Sequence, residues 1–235
     1  MIVLSEVHHS TKRHGKTIDL LDNAPFAFGE GHVGLLVDSA AAAEVFFDLL
    51  VGYIKPKQGR IRRQGSVSWP IGRVMAFRNQ LTGRKNLRML CSLYDLDYEE
   101  CEHSAYDMMK IEKYFDRQTI EWPRELLLEF AYFAALLPTF DVYLVEGATN
   151  TSNDAFNAKW EKEFRRRITG KRMIYQSLSE RFTRAFATSA VALQNGRLTH
   201  YDNLDTAYAA VSATDDRIDA GSREILPYFD DTNLI

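Results

Sequence analysis

Residues 34–52 read GLLVDSAAAAEVFFDLLVG. A short apolar run, a brief polar break and a mixed stretch closing on glycine predict a buried parallel strand, a tight loop and a helix over 40–50. Ser39 or Asp38 would cap that helix. Such a unit is also where α/β folds bind phosphate, through Gly-x-x-x-x-Gly-Lys-Ser/Thr. The glycines turn backbone N–H groups inward, the lysine neutralises charge, and the hydroxyl holds Mg²⁺. The frame VDSAAAAE puts Val37 and Ala42 at the glycine positions, Ala43 at the lysine and Glu44 at the hydroxyl.

Each replacement opposes phosphate. Alanine resists positive φ and favours helix, so the helix should start early and fill the cradle. A carboxylate about 4 Å from a phosphate charge costs on the order of 4 kcal/mol at an effective dielectric near 20, roughly a thousandfold in affinity. A plain strand–helix unit that never bound phosphate would read the same locally.

The bulk numbers suit a globular α/β protein. The chain has 235 residues, 46% hydrophobic and 26% charged, enough to bury a sizeable core. A net charge of −3 gives no drive toward nucleic acid or acidic membranes. Cys91 and Cys101 match no metal or redox spacing and read as thiols of a reducing cytoplasm. The N-terminal residues lack a signal-peptide pattern, and LLLEFAYFAALLP is too short to span a bilayer. A cytoplasmic protein is expected, held at a membrane only through a partner.

MIVLSEV and KTIDLL read as edge strands, and KPKQGRIRRQG as turn, strand and turn. Residues 81–94, 98–110 and 125–137 read as helices, the last opened by Pro123 and ended by Pro138. DVYLVE and RMIYQS are strands around an amphipathic helix in which Phe156, Trp160 and Phe164 recur every four residues. SAVALQ-NG-RLTHYD is a hairpin turning at Asn195-Gly196, and LDTAYAAVS a closing helix. Residues 221–235 read as a peripheral tail. The alternation gives a mainly parallel sheet, with flanking antiparallel strands and a helical insertion.

The stretch 65–94, GSVSWPIGRVMAFRNQLTGRKNLRMLCSLY, carries a resemblance. It resembles the ATP-binding subunits of ABC transporters that export capsular polysaccharide. Their pattern there is Ser-Trp-Pro-Ile/Leu-Gly, then Phe-Gln, then Leu-Thr-Gly-Arg-Glu-Asn, then Leu-Tyr. This chain keeps Ser68-Trp69-Pro70-Ile71-Gly72, Phe77, Leu81-Thr82-Gly83-Arg84, Asn86 and Leu93-Tyr94. KPKQGRI and the segments DVYLVEGATNTSNDAF and YQSLSE also fit, so the likeness spans roughly residues 10–212.

The resemblance implies an α/β fold of the ABC nucleotide-binding type: a RecA-like parallel core, an antiparallel β layer and a helical subdomain. Residues 1–84 and 138–212 would form the core, 85–137 the helical subdomain and 213–235 a C-terminal tail. It also implies that the nucleotide chemistry is lost. Besides the altered loop, Arg78 stands where the family has the Gln that senses Mg²⁺. Pro123-Arg124-Glu125 replaces the signature that grips the partner's γ-phosphate. Glu146 replaces the Mg²⁺-side Asp, Gly147 the catalytic Glu, and Leu178 the switch His. His8 and His9 are the nearest rings to the missing adenine-stacking aromatic.

The family's sites pair one subunit's loop with the other's signature, so losing both would spoil both sites of a heterodimer. The expectation is a catalytically inactive homologue with no cofactor of its own, where the family uses Mg-ATP. It would act as an interaction or regulatory component of capsular polysaccharide export. The alternative is a residual ATP-binding subunit working with a paralogue; a third is an enzyme of another kind on this scaffold, acting for example on a sugar phosphate. Arg78, Leu81, Arg84, Lys85 and Arg88 are docking candidates for a membrane-spanning export subunit or an intact ATPase paralogue, although charge runs are more often a solvated face. A homodimer is a further option; nucleic acid is not.

Other clusters read as structure. His8, His9 and His14 lack an acid or cysteine to complete a metal site, and His32, His103 and His200 are scattered. Glu146 has no nucleophile beside it and reads as a vestige rather than a general base. Arg165–Arg167 suit a helix C-terminus.

Overall fold

The computed structural model describes residues 1–13, 16–37, 39–73, 77–147, 150–177 and 179–214. His14, Asp38, Leu178 and the expected tail at 221–235 lie outside them.

Two sheets form the frame. β1 (Ile2–Arg13), β2 (Lys16–Phe28) and β4 (Gln58–Arg63) make an antiparallel sheet in the order β2-β1-β4. β1 is therefore central there, not an edge strand as its partial alternation suggested. The second sheet has the order β5-β6-β7-β3-β8-β9. Its strands are β3 (His32–Val37), β5 (Val67–Ile71), β6 (Val142–Glu146), β7 (Arg172–Gln176), β8 (Ser189–Gln194) and β9 (Arg197–Tyr201). All its pairings are parallel except the β8–β9 hairpin, which turns at Asn195 (φ 49°) and Gly196 (φ 74°). Positive φ at both turn residues is the primed geometry that matches strand twist.

Strand β5 was not legible as a strand, because Pro70 cannot donate to a ladder and is tolerated only at an edge. Here β5 is the edge, and its pairing with β6 slips between Val67 and Pro70. The Leu144 N–H goes instead to Ser68 Oγ at 2.9 Å.

Side-chain parity sorts the core onto two faces of the larger sheet. Val142, Leu144 and Ile174 face a core shared with the antiparallel sheet and α1 (Ala40–Val51). Tyr143, Val145, Met173 and Tyr175 face the opposite core. That second core is closed by α2 (Gly83–Tyr94), α3 (Tyr98–Met108), a 3-10 turn at Thr119–Glu121, α4 (Arg124–Leu136) and α5 (Asp154–Ile168). Phe156, Trp160 and Phe164 lie in it as the four-residue spacing predicts, and Trp160 Nε1 donates to the Tyr132 carbonyl at 2.8 Å. Gly83 opens α2 where a Cβ would meet Trp122 at 2.3 Å, which accounts for glycine in the LTGR stretch. Two short helices, α6 (Glu180–Phe186) and α7 (Leu204–Thr214), cover the remaining end, and α6 was not foreseen.

Both cysteines are free and buried. Among the described residues no helix is long and apolar enough to cross a membrane, and no group of three His, Cys, Asp or Glu side chains is placed to hold a metal ion.

His9 is buried in β1, and neither ring nitrogen has a hydrogen-bond partner among the described residues. Burial, aided by Lys57 and His8, lowers its pKa below the usual 6.5. The unfolded chain then binds more protons below that value, so stability falls as pH drops through it. His9→Phe should flatten this acid-side loss, read as the slope of unfolding free energy against pH in urea titrations from about pH 7 to about pH 5.

Candidate functional site

The parity that sorts the core also aims Glu146. It follows Val142 and Leu144 on β6 by steps of two, so its carboxylate faces α1. Helix α1 carries Glu44 and Asp48 four residues apart, on one side. The third element is the end of β5. Gly72 has φ 114°, and a Cβ there would lie 2.0 Å from the Glu146 carbonyl oxygen. Only glycine lets the chain pass this close to β6, and it delivers Arg73 into the gap.

Arg73 is buried, and each of its three guanidinium nitrogens donates a hydrogen bond. Its Nε donates to Glu146 Oε2, its Nη1 to Asp48 Oδ1 at 2.6 Å, and its Nη2 to the Glu44 carbonyl oxygen at 3.0 Å. The Glu146 side chain is 5% exposed, and its Oε1 has no hydrogen-bond partner among the described residues. Burial pushes the Glu146 carboxyl above the usual carboxylate range; Arg73 pulls it back, while Glu44 and Asp48 push it up. Burial also works against the Arg73 charge, but Glu146 and Asp48 hold the guanidinium above its ordinary value. The result is a cationic centre enclosed by acids.

The strand–helix join is tight. Val37 ends β3, pairing with Leu193, and α1 opens at Ala40. Ser39 caps the helix: its Oγ accepts from the Ala42 N–H at 3.2 Å, and its carbonyl accepts from the Ala43 N–H at 3.0 Å. The amides of Ala42 and Ala43 are thus used inside the helix. The Ala43 side chain is wholly buried.

The other expected positions fall in separate clusters. Gly147 (φ 81°) donates its N–H to the Gln176 carbonyl at 2.8 Å. Arg124 begins α4, and Glu125 in its first turn accepts from the Ser152 N–H at 3.4 Å. Asn86 clamps Arg78 through the backbone, accepting from its N–H at 2.9 Å and donating to its carbonyl at 3.1 Å. Leu81 accepts from the Thr119 N–H at 3.0 Å, and the Lys85 N–H donates to the helix-capping Thr82 Oγ1 at 3.2 Å. Arg84 pairs with Glu102 and with Asp116 at 2.7 Å, over the Phe115 ring. Arg88 lies over the Tyr98 ring at 4.7 Å. The basic run is therefore partly internal bonding.

Arg73 and Asp48 are the site residues that sequence reading missed. Their signal was present: an arginine directly after a glycine at a strand end, and two acids at helical spacing on the facing helix.

The fold is that of an ABC ATP-binding cassette. The chain aligns with an ATP-binding subunit of an ABC transporter at TM-score 0.68 and 16% identity, covering 90% of this chain and 93% of that one. It aligns with the ATP-binding cassette MJ0796, a dimer bound to ADP and phosphate, at TM-score 0.66 and 14% identity, covering 87% and 99%. No family model matches the chain.

Its curated relatives are ATP-binding proteins, among them one named for capsule polysaccharide export. It is 27% identical over 207 residues to ATP-binding protein BexA of Haemophilus influenzae, covering 88% of this chain and 94% of the relative. It is 24% identical over 208 residues to capsule polysaccharide export ATP-binding protein CtrD of Neisseria meningitidis serogroup B, covering 86% and 95%. The polysialic acid transport ATP-binding protein KpsT of Escherichia coli is 25% identical over 191 residues, covering 80% and 87%.

Arg73→Met should strand two acids around an apolar side chain. Unfolding in urea should show a loss of about 3–5 kcal/mol near neutral pH, the usual effect of breaking a buried ion pair. The loss should shrink as pH falls, because Glu146, whose carboxyl burial already pushes up, then protonates. Adding Glu146→Gln should recover part of it.

Proposed function

We propose that this chain is a non-hydrolysing ABC-cassette homologue, an interaction or regulatory component of polysaccharide export. The observation that carries the reading is the start of α1 at Ala40. In a phosphate loop those positions are open backbone with N–H groups turned to the anion. Here Ser39 and the first helical turn take the Ala42 and Ala43 amides, and the lysine position is a buried alanine. The Glu44 backbone carbonyl and the Glu146 carboxylate, each at a position where the family handles Mg-ATP, are joined through Arg73. These residues do not fit Mg-ATP, so no hydrolytic step is assigned to them. Val37, Ala42, Ala43, Glu44, Arg78, Arg124, Glu125, Glu146, Gly147 and Leu178 are the altered nucleotide positions of this reading.

The partner is a membrane-spanning export subunit or an intact ATPase paralogue, and it meets the chain near α2, where Arg78, Leu81, Lys85 and Arg88 lie. Arg84 contributes there mainly by holding α2 to α3 through Glu102. Through such a partner the chain would sit at the inner face of the cell membrane. Residues 1–84 and 138–212 act as the cassette core and 85–137 as its helical part.

A second reading is a residual ATP-binding subunit that couples ATP to export with a paralogue. The names of the relatives favour it, since BexA, matched over 94% of its length, is an ATP-binding protein.

Calorimetry separates the two. With Mg-ATP up to about 1 mM, no saturable heat is expected from the chain alone or with a membrane-spanning export subunit, a limit of about −4 kcal/mol in binding free energy. Micromolar binding, or turnover with a paralogue that falls when Glu146 is altered, would establish the second reading instead.

A further inference from the structure

The centre of the site holds its own cation. Three acceptors from two elements surround it: the Glu146 carboxylate at the end of β6, and the Asp48 carboxylate and Glu44 carbonyl of α1. Carboxylate and carbonyl oxygens are the ligand type that a hard divalent cation takes, with water completing its shell. Arg73 enters from β5 through Gly72, whose missing Cβ is the condition for the approach. Its guanidinium meets each of the three with a different nitrogen. One further oxygen, Glu146 Oε1, is buried and without a hydrogen-bond partner among the described residues, so the donor set exceeds what the guanidinium uses.

We propose that the Arg73 guanidinium is the resident cation of this site, filling the point at which Glu146, Asp48 and the Glu44 carbonyl would otherwise hold a divalent metal ion. The inference deepens the reading given under Proposed function and rests on it. A guanidinium is a permanent charge with planar, fixed donors. It neutralises part of the acid cluster with no exchangeable ligand, so the site keeps one arrangement whatever the metal concentration. A divalent ion and Arg73 then compete for one place, and the covalently tethered group wins.

The test uses metal alone, with no nucleotide, so it stands apart from the calorimetry above. Terbium is the probe. The Tyr53 phenol feels the charges of Arg73 and Asp48, so its ring lies near enough to sensitise emission. Wild-type protein should give only weak, unsaturated terbium emission and a melting temperature indifferent to Mg²⁺ or Mn²⁺. Arg73→Gly should bind terbium at least tenfold more tightly, be displaced by Mn²⁺, and melt higher when Mn²⁺ is added. Adding Glu146→Gln to that variant should abolish the gain.

Wild-type binding that matches Arg73→Gly would overturn the proposal, as would a folded Arg73→Gly with no gain, or a gain that survives Glu146→Gln. Should Arg73→Gly fail to fold, the wild-type protein decides. Its Arg73 Nε–H resonance should be slow to exchange, unmoved by about 10 mM Mg²⁺ and shifted by Glu146→Gln. A resonance that moves with Mg²⁺ would sink the idea.

Discussion

A buried guanidinium between two carboxylates ties together three elements that are far apart in sequence. Arg73 comes from the end of β5, Asp48 and Glu44 from α1, and Glu146 from the end of β6. Desolvation of such charges roughly cancels their attraction, so the cluster adds little net stability compared with a well-packed apolar replacement. What it imposes is mutual dependence. Removing Arg73 leaves two carboxylates without their cation in a dry place. Asp48 and the Glu44 carbonyl thereby fix one side of α1 to the ends of β5 and β6, while its apolar residues pack in the shared core.

Much of the fold was legible because both faces of the large sheet are covered. Runs such as VYLVE and HVGLLV show no polar alternation for that reason, and their length alone marks them as central parallel strands. The Asn195-Gly196 turn and the Phe156, Trp160, Phe164 stripe carried their own geometry. Two misreadings have physical causes. Pro70 disguised β5, since proline argues against a strand unless the strand is an edge. The long β1 hid its central place because irregular register around Val7 and His9 breaks its alternation.

The site was legible in part. The sequence singled out Glu44 and Glu146, whose carbonyl and carboxylate respectively meet one arginine, and the early start of α1 followed from its alanine run. Arg73 was not found, because what makes it matter is three-dimensional: the absent Cβ of Gly72 beside the Glu146 carbonyl. Nor does a count of basic residues show that Arg84 is absorbed by Glu102 and Asp116. A cassette fold hosts its chemistry in a handful of side chains, so architecture survives while those side chains change.

The proline in β5 has a consequence for assembly. A rim strand with a gap in its donors is a poor template for another chain's backbone. At the opposite rim β9 lies beside β2, where the Asp22 N–H reaches the Gly196 carbonyl at 2.9 Å. With one border blunted and the other shielded, continuing this sheet from molecule to molecule is disfavoured.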